Sequence, residues 1–454
     1  MNKAEVLRKV RAAGIVGAGG AGFPTAVKLE AEPEYILVNG AECEPLLRVD
    51  QALIESQAPR LLSALAALVE ATGAREGLFA TKEHYQGAVA ALSRELPAFK
   101  NLSLVTLGNF YPMGDEQVLV YEALNRIVPE GGLPLARGVL VLNVETLLNV
   151  GLALDEERPV LEKYVTVTGA VREPATFKVP LGLAYGELVA AAGGATVPEP
   201  ALISGGPMMG RLETTGRPES GFNVPVTKTT KGLIVLARDH PLVLAKSRSI
   251  SEMMRLARAA CCHCMLCTDL CPRALLGHRL YPDKLMRLAA YGATGENPGA
   301  AAGAFLCCEC GLCEMACVMG LQPWRLNREL KKRLGDLGLK NPHQGEPAAV
   351  NPFRAWRQYP IPKLIRMTGL SAYEGRATPL RDYPGRVTAA RLPLKQHLGP
   401  PAIPRVSLGE AVALGQLVAA PAEGALGAGI HASLTGRVVD LDQASIVIQK
   451  DNQA

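Results

Sequence analysis

Two runs of cysteine constrain this chain more than anything else in it. Cys261, Cys264, Cys267 and Cys271 form the first and Cys307, Cys310, Cys313 and Cys317 the second, each reading C-x2-C-x2-C-x3-C, with Pro272 directly after the first. A cubane [4Fe-4S] cluster has four iron corners, and each needs one thiolate. Three cysteines at x2 spacing let one tight loop wrap three corners, while the fourth, after x3, leads into a short helix and reaches the other cluster. These eight are therefore the expected metal ligands of two [4Fe-4S] clusters. Zinc sites take four ligands, usually two CxxC pairs or a Cys/His mix, which two matching fours resemble less well. A disulfide framework belongs to small secreted chains, and this chain has 454 residues. Cys43, Cys262 and Cys308 are left over. Because Cys262 and Cys308 each follow a first ligand, and a shift by one would break the x2 spacing, both read as non-ligands. His263, inside the first loop, reads as a solvent-side residue beside a cluster whose corners are already filled.

A chain of this length spans several domains, and a hydrophobic content of 48% suffices for ordinary cores. The 46 glycines and 33 prolines point to many turns. A net charge of +5 is small and is not gathered into the basic face that nucleic acid would require. The opening MNKAEVLRKVRAAG lacks the apolar core and cleavage site of a signal peptide. No uninterrupted apolar run of about 18 residues occurs, so no transmembrane segment is expected. Eleven cysteines in such a chain imply a reducing compartment, hence the cytoplasm.

Residues 3–13 read as a short helix with Val6, Leu7 and Val10 on one face. A glycine loop follows, in which Gly17, Gly19 and Gly22 satisfy G-x-G-x-x-G and Gly20 adds a fourth glycine. The dinucleotide fingerprint needs a strand just before it, and here a helix precedes it. The loop still suits a phosphate, since its amides can converge on an anion and Lys28 follows within one short helix. A buried strand, Tyr35–Val38, ends in Asn39-Gly-Ala-Glu42-Cys43-Glu44-Pro45. Later come Tyr111-Pro-Met-Gly114-Asp115-Glu116 and Leu142-Asn143-Val144-Glu145-Thr146. Helical 57–71 and strands at 77–80 and 102–107 alternate with these motifs, as in an α/β domain with a largely parallel sheet.

The order GAGGAGFPT, NGAECEP, YPMGDE and LNVETL resembles the FMN- and NADH-binding flavoprotein subunit of respiratory complex I and the C subunit of Rnf complexes. In complex I the second motif has Gly where this chain has Cys43, and the fourth has an Asn pair where this chain has Leu142-Asn143. The resemblance implies that Gly17, Gly19, Gly20 and Lys28 hold the FMN phosphate and that Asn39, Gly114 and Asn143 line the ribityl chain and ring. Glu42, Glu44 and Glu116 would then sit where NADH stacks, and carboxylates there would accept from ribose hydroxyls.

Past Tyr164 the chemistry thins. Strand-like 164–168, helical 186–192 and strand-like 201–206 resemble the β-grasp (SLBB) module that follows the flavin domain in the same family, with a role in spacing and docking. Between the cysteine runs, Arg273, His278, Arg279, Lys284 and Arg287 read as a solvated helix face or as a basic landing patch for an acidic partner. Residues 336–403, rich in proline and arginine, read as an extended strap. From 404 the chain resembles the barrel-sandwich module of biotin and lipoyl carriers, but its turn Gly424-Ala425-Leu426-Gly427 holds no lysine to modify.

The expected architecture is thus multidomain, α/β and α+β: a complex I-like FMN/NADH-binding domain (1–158), a β-grasp module (159–240), a two-cluster ferredoxin-like helical domain (248–335), the strap (336–403) and a barrel-sandwich hybrid (404–454). In Rnf C subunits the barrel-sandwich module lies at the N-terminus. With that module last, the order resembles the cobalamin reductases of propanediol utilisation. That resemblance implies an NADH-dependent oxidoreductase with FMN and two [4Fe-4S] clusters. Its acceptor would be a corrinoid, or a corrinoid-handling enzyme such as an adenosyltransferase, within a bacterial microcompartment whose shell protein would be a neighbour. Two alternatives stay open: a peripheral Rnf C-like subunit exchanging electrons between NADH and ferredoxin, and an iron–sulfur relay without flavin.

Overall fold

The computed structural model describes residues 1–213, 221–292 and 298–451. The opening helix is Lys3–Ala12, with Asn2 Oδ1 capping the Glu5 amide and Val6 and Val10 buried. Four apolar runs form a parallel sheet in the spatial order Leu102–Leu107, Glu76–Lys82, Tyr35–Gly40, Val139–Asn143. Alternation along the strands sends side chains to opposite faces. Ile36, Val38, Phe79, Leu140 and Leu142 share a core with the helices Val49–Thr72 and Val144–Glu156. Leu37, Leu78, Val139 and Val141 pack with Val118 and Leu119 of the helix Glu116–Leu124. Both faces are covered, which is why the strands read as continuous apolar runs.

Val49–Thr72 is kinked at Gln57, two residues before Pro59. By length and composition alone it could cross a membrane, but Leu53, Ile54, Leu61, Leu65 and Leu68 are buried in the protein core. Tyr35–Gly40 has the earlier strand pairs on one side and Val139–Asn143 on the other, so the strand order reverses there. A parallel sheet opens a crevice at the carboxyl ends of its strands at such a point. Asn39 and Asn143 stand opposite one another in that register.

The β-grasp module is a six-stranded mixed sheet in the order Leu380–Asp382, Ala175–Pro180, Glu162–Gly169, Gly232–Ala237, Pro200–Ser204, Arg211–Glu213. Its first strand comes from the strap. Tyr359–Pro360, also from the strap, pairs with Phe110–Tyr111 of the first domain. The strap therefore does wrap earlier modules, but it is not uniformly extended: Ile361–Met367 is helical, and Ala389–Pro393 already pairs with Ser445–Gln449 of the tail sheet. The tail adds a second, three-stranded sheet of Ile403–Pro404, Leu417–Ala420 and Ile430–His431. Lys228 joins three modules at once. Its Nζ donates at 2.6 Å to the carbonyls of both Gly14 and Gly429, and burial pushes the amine down to about 7.

The cysteine domain has its own core of Met253, Leu280, Leu285, Met286, Leu326 and Leu330. Its helices include Ile250–Ala260, Pro282–Tyr291 and Pro323–Asp336. The solvated-face reading of 272–306 needs correction. Arg273 and His278 are buried, because the chain there packs into the flavin-type domain. Arg279 is exposed but binds the buried Glu130 at 2.6 Å, Arg287 binds Asp283 at 2.9 Å, and Lys284 sits over the Tyr281 ring.

Candidate functional site

A cleft of about 1150 Å3 opens where the parallel sheet reverses, walled by the first domain, the β-grasp module, the tail and the cysteine domain. It exceeds the roughly 300–1000 Å3 common for single-ligand clefts. The glycine loop forms one wall. Gly17 N–H donates to Phe23 O at 2.9 Å, Gly22 N–H to Gly17 O at 3.1 Å, and Ala18 N–H to Thr146 Oγ1 at 2.9 Å. Among the described residues, the amides of Gly19, Gly20 and Ala21 donate to no protein acceptor. Gly20 lies at φ +121° with open space where a Cβ would be, and Gly19 abuts the Asn143 side chain. Lys28 Nζ stands 3.5 Å from Glu116 Oε1 at the rim. Free amides beside a lysine are what a phosphate group requires, so the loop fits an FMN phosphate.

Asn39 Nδ2 donates to Gly114 O at 2.9 Å, tying the strand end to the YPMG turn. A Cβ on Gly114 would sit 2.9 Å from Ala41 O and 3.1 Å from Cys43 Sγ, so only glycine fits there. Cys43 is buried, and burial pushes its thiol up to about 12. Asn143 Oδ1 caps the next helix by accepting from Glu145 N–H at 3.0 Å, and its Nδ2 donates to Asp50 Oδ1 at 3.0 Å.

No chemistry was legible in the β-grasp module from its residues alone, yet it supplies much of the cleft wall. Lys231 Nζ lies 2.5 Å from Glu42 Oε2 and 2.6 Å from Asp50 Oδ2. Burial pushes Asp50 up, with Lys231 opposing. Glu44 accepts from the amides of Met208 and Met209 at 2.9 and 2.7 Å, so its carboxylate holds the turn after Gly206 against the cleft. Burial pushes Glu44 up to about 7, against those two hydrogen bonds. Beneath the glycine loop, Lys163 and Glu145 form a wholly buried ion pair. The tail reaches the loop as well, where Leu398 N–H donates to Gly22 O at 2.9 Å.

The cysteines gather into two groups. Cys261, Cys264 and Cys267 line one cavity together with Cys317 from the second run, with His263, Met265, Asp283 and Arg287 around them. The Cys271 thiol faces Cys307, and Cys310 and Cys313 face Cys271 in turn. Each group thus takes its fourth thiol from the other run. Burial pushes Cys267 up to about 12. Thiols so placed ionise when a metal supplies the compensating charge. Cys307 Sγ accepts from Glu309 N–H at 3.4 Å and Asn327 Nδ2 at 3.6 Å, the kind of N–H···S contact that tunes a cluster. Four thiols per group fit two cubanes. His263 is exposed, its Nδ1 3.1 Å from Arg287, and Cys262 is exposed too.

The second group touches the cleft. Cys308, Cys310 and Arg273 line it, Tyr111 Oη donates to Cys310 O at 2.5 Å, and Arg273 Nη2 binds Asp115 Oδ2 at 2.7 Å. The first group opens at the opposite, solvent side, where Cys264, Met265, Val318 and Met319 are exposed.

A flavin-type cleft sharing a wall with one of two four-thiol cavities defines a flavin and iron–sulfur electron-transfer protein. Four family models match: the Nuo51 FMN-binding domain over 10–152, the SLBB domain over 164–212, a 4Fe-4S dicluster domain over 260–322 and the RnfC barrel sandwich hybrid domain over 375–454. FMN and two [4Fe-4S] clusters are accordingly its cofactors. Cobalamin reductase PduS of Salmonella typhimurium is 43% identical over 98% of this chain and 96% of its own, and that of Citrobacter freundii is 44% identical over the same shares. The RnfC-type component of the Na+-translocating ferredoxin:NAD+ oxidoreductase complex of Acetobacterium woodii is 31% identical over 60% of this chain and 58% of its own. A solved NAD+-reducing [NiFe]-hydrogenase in its H2-reduced state aligns at 22% identity and TM-score 0.49, covering 76% of this chain and 64% of that one. The chain belongs to the PduS cobalamin reductase family.

Proposed function

We propose that this chain is an NADH-dependent cobalamin reductase. It carries electrons from NADH through FMN and two [4Fe-4S] clusters to the cobalt of a corrinoid. Kinship with cobalamin reductases over nearly the whole length supports this. The observation that carries it is the shared wall, with Cys308 and Cys310 lining the same cleft as the glycine loop.

The bound cofactors supply hydride acceptance at the flavin and one-electron storage at the clusters. The chain's own residues bind and orient them. Gly17, Gly19, Gly20 and Gly22 bring backbone amides to the FMN phosphate, and Lys28 supplies the cation. Asn39, Gly114 and Asn143 set the shape around ribityl chain and ring. Glu42, Glu44 and Glu116 line the side where NADH enters. Cys271, Cys307, Cys310 and Cys313 hold the cluster near the cleft, and Cys261, Cys264, Cys267 and Cys317 hold the remote one at the surface. From there electrons leave for a corrinoid, free or carried by an adenosyltransferase. The setting is the cytoplasm, inside a microcompartment with a shell protein as neighbour.

The test is anaerobic addition of NADH to the purified protein. Flavin and cluster absorbance should bleach, and added corrinoid should restore them while becoming reduced. Unbleached clusters would overturn the reading. The RnfC-type tail favours a second reading, a peripheral component of a membrane complex serving ferredoxin. Reoxidation by ferredoxin and not by corrinoid would select it.

A further inference from the structure

Arg273 follows Cys271-Pro272 directly, so the backbone that carries a near-cluster cysteine also carries this cation. Its side chain is only 10% exposed, and it lines the flavin cleft beside Cys308 and Cys310. One end is fixed by Asp115, whose Oδ2 lies 2.7 Å away. Asp115 is itself held rigidly, because its Oδ1 caps a helix by accepting from Gln117 and Val118 N–H at 3.1 and 3.2 Å. The guanidinium also hydrogen-bonds the Cys308 thiol. Its Nε is buried and has no hydrogen-bond partner among the described residues. An arginine keeps its charge in any protein setting. A fixed positive charge therefore stands in the dry wall between the flavin cleft and the near cysteine group, with Asp115 behind it.

Electron arrival makes a cluster more negative by one unit, and a nearby cation stabilises that state more in a low-dielectric wall than in water. We propose that Arg273 is the positioning residue that sets the direction of flow: its charge raises the reduction potential of the cluster held by Cys271, Cys307, Cys310 and Cys313, so that this cluster draws single electrons from the flavin. Each step moves one electron from flavin to cluster, and the two electrons of one hydride leave in two such steps. The inference rests on the wiring proposed above.

The experiment is an EPR-monitored redox titration of the anaerobically purified full-length protein. Cys310→Ser and Cys264→Ser first assign the near and remote signals. Failure of these to remove one signal each would sink the wiring, whatever Arg273 does. With signals assigned, Arg273→Met should disfavour reduction of the near cluster at least tenfold, a fall of about 59 mV for one electron. The remote cluster should not move, and Arg273→Lys should recover most of the shift. Asp115→Asn keeps the helix cap but removes the countercharge, so it should move the near midpoint upward. A structural disturbance would move both variants the same way, and that result, or an unmoved near midpoint in Arg273→Met, overturns the proposal. Should Arg273→Met lose iron, Asp115→Asn decides alone: a near midpoint unmoved or lowered refutes it.

Discussion

Lys231→Met tests how the β-grasp module completes the cleft. Lys231 Nζ contacts Glu42 at 2.5 Å and Asp50 at 2.6 Å, with those carboxylates 6% and 3% exposed. At an effective dielectric near 20, each contact carries about 6 kcal/mol of gross Coulomb attraction, most of it offsetting the burial of three charges. Taking away the lysine alone leaves two buried carboxylates with no cation between them. Breaking a buried pair in this way costs roughly 3–5 kcal/mol, a large share of the ~5–15 kcal/mol that holds a domain folded. The variant can recover part of this by protonating one acid. Burial already pushes Asp50 above its ordinary 3.8, with Lys231 opposing, and without Lys231 it rises further. An acid whose folded pKa is raised binds more protons folded than unfolded. Its stabilising share is fully present below its unfolded pKa and is lost as pH rises through the folded one. Lys231→Met should therefore lose stability steadily from about pH 4 upward, over a wider span than the parent. Thermal melts across about pH 5 to pH 8, read together with FMN retention, measure this. Lys231→Met with Asp50→Asn removes one of the two opposed carboxylates and should recover more than half of the loss. Parental melting and full flavin in Lys231→Met, or a double variant worse than the single, would refute the reasoning.

Lys28→Ala combined with Gly19→Ala should release FMN and keep the cluster absorbance, and flavin retained after gel filtration would count against the phosphate cradle. Cys264→Ala and Cys310→Ala should each remove about half of the iron, since each serves one cubane. Cys317→Ser should abolish the same EPR signal as Cys264→Ala, and Cys271→Ser the same as Cys310→Ala; pairing by run instead would contradict the crossed grouping. Glu44, pushed up from 4.5 to about 7 by burial, makes stability fall by about 3 kcal/mol between pH 4.5 and 7 and level off above. Glu44→Gln should flatten that slope in denaturant titrations, and an unchanged slope would show that another group carries it.

Local pattern carried much of this protein. Cluster ligation depends on spacing within a loop of about ten residues, so two C-x2-C-x2-C-x3-C runs announced two cubanes before any fold was known. Short apolar runs ending in Asn39 and Asn143 marked strands of a parallel sheet, because a strand covered on both faces has no polar period. The glycine loop and Lys28 are near neighbours in sequence and equally legible. The tail's earlier start was not: Ala389–Pro393 sits in a proline-rich stretch and becomes a strand only by pairing with Ser445–Gln449, more than fifty residues on.

What the tertiary structure alone decided is which charges are buried and whom they meet. Lys231 and Asp50 lie 181 residues apart and Arg273 and Asp115 158 apart, so no periodicity links them. Arg273 sits in a basic stretch of the kind that usually faces water, and it is buried because the flavin-type domain packs over it with Asp115 in place to pair it. Residue spacing is a property of one short loop and is written in the sequence. The cost or benefit of a charge depends on the dielectric and the partners around it, and those exist only once distant segments have packed together.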